Sequence, residues 1–555
     1  MSNHRFTFSA LVSVLAALAL VLTAVPGTVR AEGALPERDV LVLFTSDVHC
    51  GADQGFTYAG LWAVRQAAEA AGNAVLLVDN GDSVQGEPIG LLSSGMASLE
   101  LMNAMGYDAA IPGNHEFDYG MDRFLELAEA ADFPYVSCNF RRAGELVFPP
   151  YVILEAAGVK IAFVGVTTPE TITTSTPRFF QDESGAYLYD FTGETLYDAV
   201  QEAADSARAE SADYVILLAH LGNVAGSGSF TYADVAEHTA GIDAILDGHS
   251  HDTDKALVKN KDGQNVVRQA CGTKMEGIGW LRISAAGGVD TGLYSWSNSE
   301  PAPQLLGFRN EMSDRLDAAY GGVNDLLSTV VGNAAVDVTI SDPEALDEAG
   351  HPIRLIRRAE TNLGDLCTDA VRAAAGADIA VVNGGSIRVT ISRGAITTND
   401  ILCVFPYGNT LLKLEMTGQS ILDALEWGAR ACPMESGAFL HVSGLTYEIH
   451  TGIENSCAVD EHGMFAGVTG EYRVQNVMVG DEPLDLNRVY TVAGQSYTLL
   501  DNGDGFTSFD GAKVLWESDE LDYELFIRYI QEELGGTIGA GYEDPYGQGR
   551  IVAVP

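Results

Sequence analysis

Val40-Leu-Val-Leu-Phe-Thr-Ser-Asp-Val-His49 is the stretch from which the fold can be predicted. Its first half is a short apolar run, which is typical of a buried strand. Its second half turns polar and ends in Asp47 and His49, two side chains that can bind a metal ion. In an extended segment, residues two apart point to the same side, so both can contact one cation.

The same unit, a buried strand that runs into a polar loop, recurs along the first half of the chain. The further examples are Ala74–Val78 before Asp79-Asn-Gly-Asp82, Ala109–Ile111 before Pro112-Gly-Asn-His-Glu116, Tyr214–Leu218 before Ala219-His220, and Ala244–Leu246 before Asp247-Gly-His-Ser-His251. Helical spacing lies between the strands, as at Ala59–Ala71 and Met121–Ala131. This alternation predicts a layered α/β domain with functional groups gathered where the strands end.

A second α/β pattern follows a junction. Ser297–Pro303 is rich in Ser, Asn and Pro, and Gly307–Ala319 then shows helical spacing. Beyond residue 336 the strand Asp378–Val382 and the helix Gly418–Ala431 are predicted. We therefore expect a first domain over 38–296, a linker over 297–335 and a second domain over 336–555.

The N-terminus has the pattern of a secretory signal. His4 and Arg5 precede an apolar run that continues to about Val25, and Pro26 and Gly27 follow it. Cleavage after Ala31 is predicted, which defines a signal peptide over 1–31. Because the run approaches the length that spans a bilayer, retention as an anchor is the alternative. We expect an exported protein, periplasmic, cell-surface or secreted, with no stable membrane insertion after cleavage.

Charge and cysteine content narrow the class of protein. The net charge is −46, which disfavours binding to nucleic-acid polymers and to anionic membrane surfaces. Seven cysteines are too few and too scattered for a disulfide scaffold. If an exported chain oxidises one pair, Cys432 with Cys457 is the pair we expect.

The histidines concentrate in the strand-end loops. Of eleven in the chain, five lie there, at positions 49, 115, 220, 249 and 251. Any one of these motifs arises often by chance, whereas the ordered set is hard to obtain without a metal site. Mixed imidazole, carboxylate and amide ligands suit Zn, Mn, Fe or Co, and their number exceeds what one tetrahedral ion needs. We therefore predict two divalent metal ions that share a carboxylate.

The set of motifs resembles the calcineurin-like metallophosphoesterases, and the whole mature chain resembles the two-domain 5'-nucleotidase family. The resemblance implies a four-layer α-β-β-α first domain and an α/β second domain. It implies one metal held by Asp47, His49, Asp82 and His251, and a second held by Asp82, Asn114, His220 and His249. It also implies that His115 stabilises the transition state and protonates the leaving group, with Asp118 as its partner.

Three segments of the second half resemble the nucleotide-binding signatures of that family: Asn383-Gly-Gly-Ser-Ile-Arg388, Phe405-Pro-Tyr-Gly-Asn409 and Tyr497–Phe506. The resemblance implies that phosphate, ribose or base is bound by Asn383, Arg388, Tyr407, Asn409, Tyr497 and Asp504. Ala359 stands where the family often has an arginine. Arg357 or Arg358 would substitute for it, and we take Arg358 as the candidate.

The resulting hypothesis is an exported phosphohydrolase that removes phosphate from nucleoside 5'-monophosphates, with UDP-sugars as further substrates. A 2',3'-cyclic-nucleotide phosphodiesterase with 3'-nucleotidase activity is one alternative. A surface protein that binds nucleotides without turnover is another, although none of the expected ligands is missing from the sequence.

Overall fold

The computed structural model describes residues 29–30, 34–182, 185–223, 230–295, 309–321, 323–346 and 352–555. Apart from residues 29–30, the predicted signal peptide 1–31 lies outside them. Within these ranges no helix combines the length and apolar character needed to cross a membrane. The chain forms two compact units. The first comprises Met1–Gln85, Leu92–Thr171 and Phe180–Gly321, and the second comprises Gly86–Leu91, Ile172–Phe179 and Gly322–Pro555.

Up to residue 321, where the first unit ends, the described part of the chain forms fifteen strands. They are β1 (Val29–Arg30), β2 (Val40–Thr45), β3 (Ala74–Asp79), β4 (Ala109–Ala110), β5 (Arg141–Arg142), β6 (Glu145–Leu146), β7 (Tyr151–Ala156), β8 (Val159–Thr167), β9 (Tyr189–Asp190), β10 (Tyr214–His220), β11 (Ala244–Asp247), β12 (Lys255–Lys259), β13 (Asn265–Ala270), β14 (Gly277–Ile283) and β15 (Gly288–Ser295). The α-helices over the same part of the chain are α1 (Thr57–Ala70), α2 (Pro88–Ser93), α3 (Met96–Met105), α4 (Met121–Ala130), α5 (Thr171–Thr174), α6 (Leu196–Ala209), α7 (Tyr232–His238) and α8 (Glu311–Gly321).

Two six-stranded sheets form the centre of the first unit, in the orders β1-β15-β14-β2-β3-β4 and β12-β13-β11-β10-β8-β7. Alternate residues of both sheets, such as Val42 and Phe44 on β2 and Ile216 and Leu218 on β10, share one buried apolar cluster. The opposite side chains of β8 and β10 pack with α6 in a second cluster. Helix α1 lies against β3 and α8. The predicted four-layer α-β-β-α arrangement is therefore confirmed.

The sheet registers explain why the polar loops meet. Strands β2, β3 and β4 are parallel neighbours. Strands β8, β10, β11 and β13 are also parallel neighbours. Because parallel strands end at the same edge of a sheet, the loops after them converge.

In the second unit, the part of the chain that the structure describes carries sixteen strands and six α-helices. The strands are β16 (Val330–Ala334), β17 (Ser341–Leu346), β18 (Pro352–Arg354), β19 (Ile379–Asn383), β20 (Gly394–Thr397), β21 (Thr410–Thr417), β22 (Leu440–Ser443), β23 (Leu445–His450), β24 (Cys457–Val459), β25 (Phe465–Val468), β26 (Val474–Val479), β27 (Glu482–Pro483), β28 (Val489–Gln495), β29 (Lys513–Leu521), β30 (Thr537–Ile538) and β31 (Ile551–Val554). The helices are α9 (Asn324–Leu327), α10 (Asn362–Ala375), α11 (Thr398–Val404), α12 (Gly418–Ala429), α13 (Ser496–Leu499) and α14 (Asp522–Arg528).

Its main sheet has the order β22-β19-β28-β21-β29. One face packs with α10 and α14 in a cluster that includes Leu366, Val382 and Phe526. The other face packs with α12 in a cluster that includes Val381 and Trp427. The second unit is thus an α/β domain with its own core, as expected.

Two further expectations concern the junction and the cysteines. Helix α8, which begins at Glu311 within the predicted linker, is held by the first unit: Asn310 Nδ2 donates to Ala59 O at 2.7 Å and Tyr320 Oη donates to Cys50 O at 2.7 Å. The expected Cys432–Cys457 disulfide is wrong, because all seven cysteines are free thiols. Cys432 is buried, and its thiol instead donates to the carbonyl of Arg358.

Candidate active site

The predicted metal ligands of the first unit gather into two clusters. In one, Asp47, His49 and His251 each offer a ligand atom, and these atoms lie within 4.8 Å of one another. In the other, Asp82, His220 and His249 do the same. Asn114 joins the second cluster, since its Oδ1 lies 3.2 Å from His220 Nε2 and 3.0 Å from His249 Nδ1.

Asp82 lies between the clusters. Its Oδ2 is 3.2 Å from His220 Nε2 and 3.8 Å from His49 Nε2. Its Oδ1 accepts the backbone N–H of His115 at 2.8 Å, which fixes the plane of the carboxylate. One oxygen thus faces both ligand sets, which is the position that a bridging carboxylate occupies between two ions.

Backbone carbonyls orient two of the imidazoles. His49 Nδ1 donates to Gln85 O at 2.9 Å, and His220 Nδ1 donates to Asn80 O at 2.7 Å. With the proton on Nδ1, the Nε2 lone pair points into the site, as is usual for histidines that bind metal ions. His49 Nε2 and His251 Nε2 then face each other at 3.1 Å, an arrangement that a shared cation stabilises.

The backbone at these positions is strained. Five of the seven predicted ligands, namely Asp47, His49, Asp82, His249 and His251, have φ between +48° and +79°. Non-glycine residues rarely adopt this region, and such outliers cluster at functional sites where the surrounding structure holds them.

The buried ionisable groups of the two clusters shift one another's pKa values. Burial raises the pKa of Asp47 to about 7, with the charge of His220 acting against it. Burial alone would lower the pKa of His220, but the carboxylate of Asp82 outweighs it and raises the pKa to about 10. Burial likewise opposes ionisation of Asp82, yet the charges of His220 and His115 hold its pKa well below the usual value. The site therefore keeps an ionised acceptor at its centre.

His115 and Asp118 form the expected pair. Asp118 Oδ2 accepts from His115 Nδ1 at 2.6 Å, and both side chains are mostly buried. The imidazole lies edge-on to that of His49, with ring centroids 5.3 Å apart. The pair is thus beside the first ligand cluster.

Glu116 is a residue of this site to which the motif analysis assigned no role. Its side chain is buried and accepts three backbone N–H groups, from Asp82 at 2.8 Å, Ser83 at 2.7 Å and Gly113 at 2.6 Å. The carboxylate therefore ties the loop after β3 to the loop after β4. Its place between the predicted catalytic residues His115 and Asp118 was the only signal that the sequence offered.

The predicted substrate-binding residues of the second unit form two groups. Asn383 Nδ2 donates to Asp504 Oδ2 at 2.7 Å, and Tyr497 Oη accepts the N–H of Asp504 at 3.1 Å. The guanidinium of Arg388 lies 5.9 Å from the ring centre of Tyr407. Asn409 is held elsewhere, by Asp522, whose backbone N–H donates to Asn409 O at 2.8 Å.

Charged and polar residues of both groups act on the pKa of Arg357. Burial, followed by the charges of Arg354 and Arg388, lowers the pKa of its guanidinium to about 9, while Tyr407 and Asp504 act in the opposite direction. The N–H of Glu344 is the main cause that lowers the pKa of Asp342, and the charge of Arg358, the candidate taken from the sequence, adds to it. Tyr497 packs against its own loop, since a Cβ on Gly503 would lie 2.4 Å from ring atoms of Tyr497.

Comparison with known proteins agrees with both halves of the structure. Residues 40–253 match the calcineurin-like phosphoesterase family, and residues 330–511 match the 5'-nucleotidase C-terminal domain. The crystal structure of a 5'-nucleotidase precursor from Thermus thermophilus superposes with a TM-score of 0.74 at 26% identity, covering 93% of this chain and 99% of that one. The chain therefore combines a calcineurin-like phosphoesterase domain with a 5'-nucleotidase C-terminal domain.

Two curated relatives extend the comparison. Protein UshA of Yersinia enterocolitica is 27% identical over 98% of this chain and 99% of its own length. The trifunctional nucleotide phosphoesterase protein YfkN of Bacillus subtilis is 29% identical over 93% of this chain, which corresponds to 35% of that larger protein. With these two domains, the chain is a metal-dependent phosphoester hydrolase.

Proposed function

We propose that the protein is a member of the 5'-nucleotidase family, exported from the cell, that removes the phosphate from nucleoside 5'-monophosphates with two divalent cations. The observation that carries the proposal is the position of Asp82 Oδ2 between the two ligand clusters, at 3.2 Å from His220 Nε2 and 3.8 Å from His49 Nε2.

The donor set fits two cations of the Zn, Mn or Co type. Asp47, His49 and His251 would hold one, and His220, His249 and Asn114 the other, with Asp82 shared. Cations bound there polarise phosphate oxygens and make hydroxide available near neutral pH. The protein orients these ligands in two ways. Backbone carbonyls accept from the imidazoles of His49 and His220, and Glu116 holds the backbone N–H groups of Asp82 and Gly113.

His115 is the proposed general acid. Because Asp118 accepts from Nδ1, the carboxylate stabilises the imidazolium and sets Nε2 as the nitrogen that passes a proton to the leaving alkoxide. Asp118 keeps the ring in the orientation in which this transfer can occur.

The second unit supplies the proposed binding groups for the nucleotide. Arg357 is half-buried, and burial together with the charges of Arg354 and Arg388 disfavours its charged form, so an anion such as a phosphate would stabilise it. With Arg388 it offers the forked donors that phosphate accepts in pairs. We propose Asp504 and Asn383 as acceptor and donor for ribose hydroxyls, and Tyr407 as a ring for the base. Arg358, Asn409 and Tyr497 remain weaker candidates. The names of the relatives, a 5'-nucleotidase precursor and a nucleotide phosphoesterase, support this substrate class.

A phosphate-release assay on purified protein tests the proposal. The panel contains AMP, 3'-AMP, 2',3'-cyclic AMP and UDP-glucose, each assayed after EDTA treatment and after Mn²⁺ is restored. We expect AMP to be cleaved only with the metal. Cleavage of the 3' or cyclic esters alone would favour the phosphodiesterase alternative, and tight AMP binding without turnover would favour the silent binding protein.

The proposal that the protein is exported rests on the N-terminal segment 1–31 rather than on the folded units. Fractionation of cells that express the full chain, followed by N-terminal sequencing of the product, tests it. A mature protein outside the cytoplasm that begins at Glu32 is expected, and an intact N-terminus in a membrane fraction would indicate an anchor instead.

A further inference from the structure

Arg268 is a fully buried arginine in the middle of β13, with 0% of its side chain exposed. Each of its five N–H donors has an acceptor. Nε and Nη2 donate to Asp247 Oδ2 at 3.1 and 2.7 Å, and Nη1 and Nη2 donate to Asp252 Oδ1 and Oδ2 at 2.6 and 2.9 Å. Nη1 also donates to Asp254 O at 3.1 Å. The ring of Tyr232 covers the guanidinium, 4.4 Å away.

The two carboxylates belong to the loops that bear three of the proposed metal ligands. Asp252 directly follows His251, and its Oδ2 also accepts from Ser250 Oγ at 2.5 Å. Asp247 ends β11, just before Gly248 and His249. Its other oxygen, Oδ1, accepts the N–H groups of Leu221 and Gly222 at 3.1 and 3.2 Å, directly after His220. One guanidinium thus joins the loop after β10 to the loop after β11.

The loop after β11 needs such support. His249 and His251 both have positive φ, at 79° and 56°, and the side chain of His251 is 34% exposed, so surrounding contacts cover it only in part. A strained backbone persists only where its environment over-determines it.

A gain in folding stability does not explain why this buried ion-pair network is present. A buried ion-pair network of this kind is often no more stable than apolar residues of the same volume. A planar fork with five fixed donors, in contrast, sets the relative positions of two carboxylates in a way that lysine cannot.

We propose that Arg268 is a positioning residue of the metal centre, which holds the loops of His220, His249 and His251 in the ligating arrangement through Asp247 and Asp252. This inference rests on the metal site of the proposed function. The metal-binding motifs do not include this arginine, because it lies beyond His251 in the chain and on a different strand from the loops that it joins.

Isothermal titration calorimetry of the metal-free full chain with Mn²⁺ alone tests the inference. Arg268→Lys keeps the charge and removes the fork, and Asp252→Asn removes one carboxylate and leaves the arginine. Arg473→Lys is the matched control, because Arg473 is a buried arginine of the second unit whose guanidinium donates to backbone carbonyls.

We expect Arg268→Lys and Asp252→Asn to weaken Mn²⁺ binding about 10- to 100-fold, the usual effect of altering residues that orient metal ligands. Excess Mn²⁺ should restore much of the phosphate release, and Arg473→Lys should bind Mn²⁺ like the wild type. Wild-type affinity in a folded Arg268→Lys variant overturns the inference; if that variant does not fold, wild-type affinity in Asp252→Asn overturns it. A wild-type protein that binds no Mn²⁺ rejects the metal centre itself, which is a separate result.

Discussion

Asp118 Oδ2 lies 2.6 Å from His115 Nδ1, three residues away along a short turn, and the paired imidazole stands 5.3 Å from that of His49. A charged partner at this distance fixes both the tautomer and the orientation of a histidine. The pair therefore has the geometry that the proposed general acid requires, and it lies beside the first ligand cluster.

If His115 is the general acid, His115→Ala should lower kcat for AMP by about 10²- to 10⁴-fold. Asp118→Asn should lower it less, because the ring remains and only its charged partner is lost. Neither variant should lose bound metal, which elemental analysis checks. His462→Ala, at a partly exposed site of the second unit, is the control. An unchanged kcat in His115→Ala would assign the proton transfer to another group.

Asp82 is predicted to hold both cations. Asp82→Asn removes the shared negative charge, so we expect the purified protein to retain at most one metal ion per chain and to lose phosphate release. Asp79→Asn is the matched control, since Asp79 is a buried acid at the end of β3, the strand that precedes Asp82, and its carboxylate accepts from Thr45 Oγ1 and the N–H of Gly81. Two tightly bound ions in Asp82→Asn would show that the clusters do not depend on a bridge.

The neighbours Arg357 and Arg358 provide a matched test of substrate binding. Arg357→Met should raise the KM for AMP about 10- to 100-fold, since a charge-assisted hydrogen bond to phosphate contributes about 1.5–3 kcal/mol. Arg358→Met should change KM little, because the positive charge of Arg358 lies near Asp342, where it helps to lower the pKa of that carboxyl. Steady-state kinetics on both variants measure the KM for AMP. A larger increase in Arg358→Met than in Arg357→Met would assign phosphate binding to Arg358, the residue taken from the sequence.

His441 predicts an acid sensitivity of the second unit. It is fully buried, its Nε2 donates to Ile356 O at 2.8 Å, and burial lowers its pKa to about 4. The unfolded chain takes up a proton on His441 as the pH falls below about 6.5, whereas the folded chain keeps this histidine neutral down to about pH 4. The free energy of unfolding is therefore highest above about pH 6.5. It should fall by up to about 3 kcal/mol as the pH drops toward 4.

Denaturant unfolding between pH 7 and 4 measures this loss. His441→Gln keeps a donor for Ile356 O without the titration, so its stability should depend less on pH than that of the wild type. His462→Gln, which alters a partly exposed histidine, should follow the wild-type curve. Parallel pH curves for the wild type and His441→Gln would show that His441 does not cause the acid loss.

Much of the first unit could be predicted because its signals are local. Each proposed ligand lies at the end of a strand or within four residues after it. The strands are readable as short apolar runs: the predicted Val40–Phe44 and Ala244–Leu246 are observed as Val40–Thr45 and Ala244–Asp247. Parallel pairing then brings the strand ends to one edge without further information.

The sequence by itself therefore determined the layered fold, the two domains and the side chains that gather into the two clusters, since these depend on residue type and spacing along the chain. Only the tertiary structure decided that the charge of Arg388 acts on Arg357, where Tyr497 packs, and that Glu116 and Arg268 join the ligand loops. These are contacts between distant segments whose partners depend on side-chain direction and burial, and no local pattern encodes them.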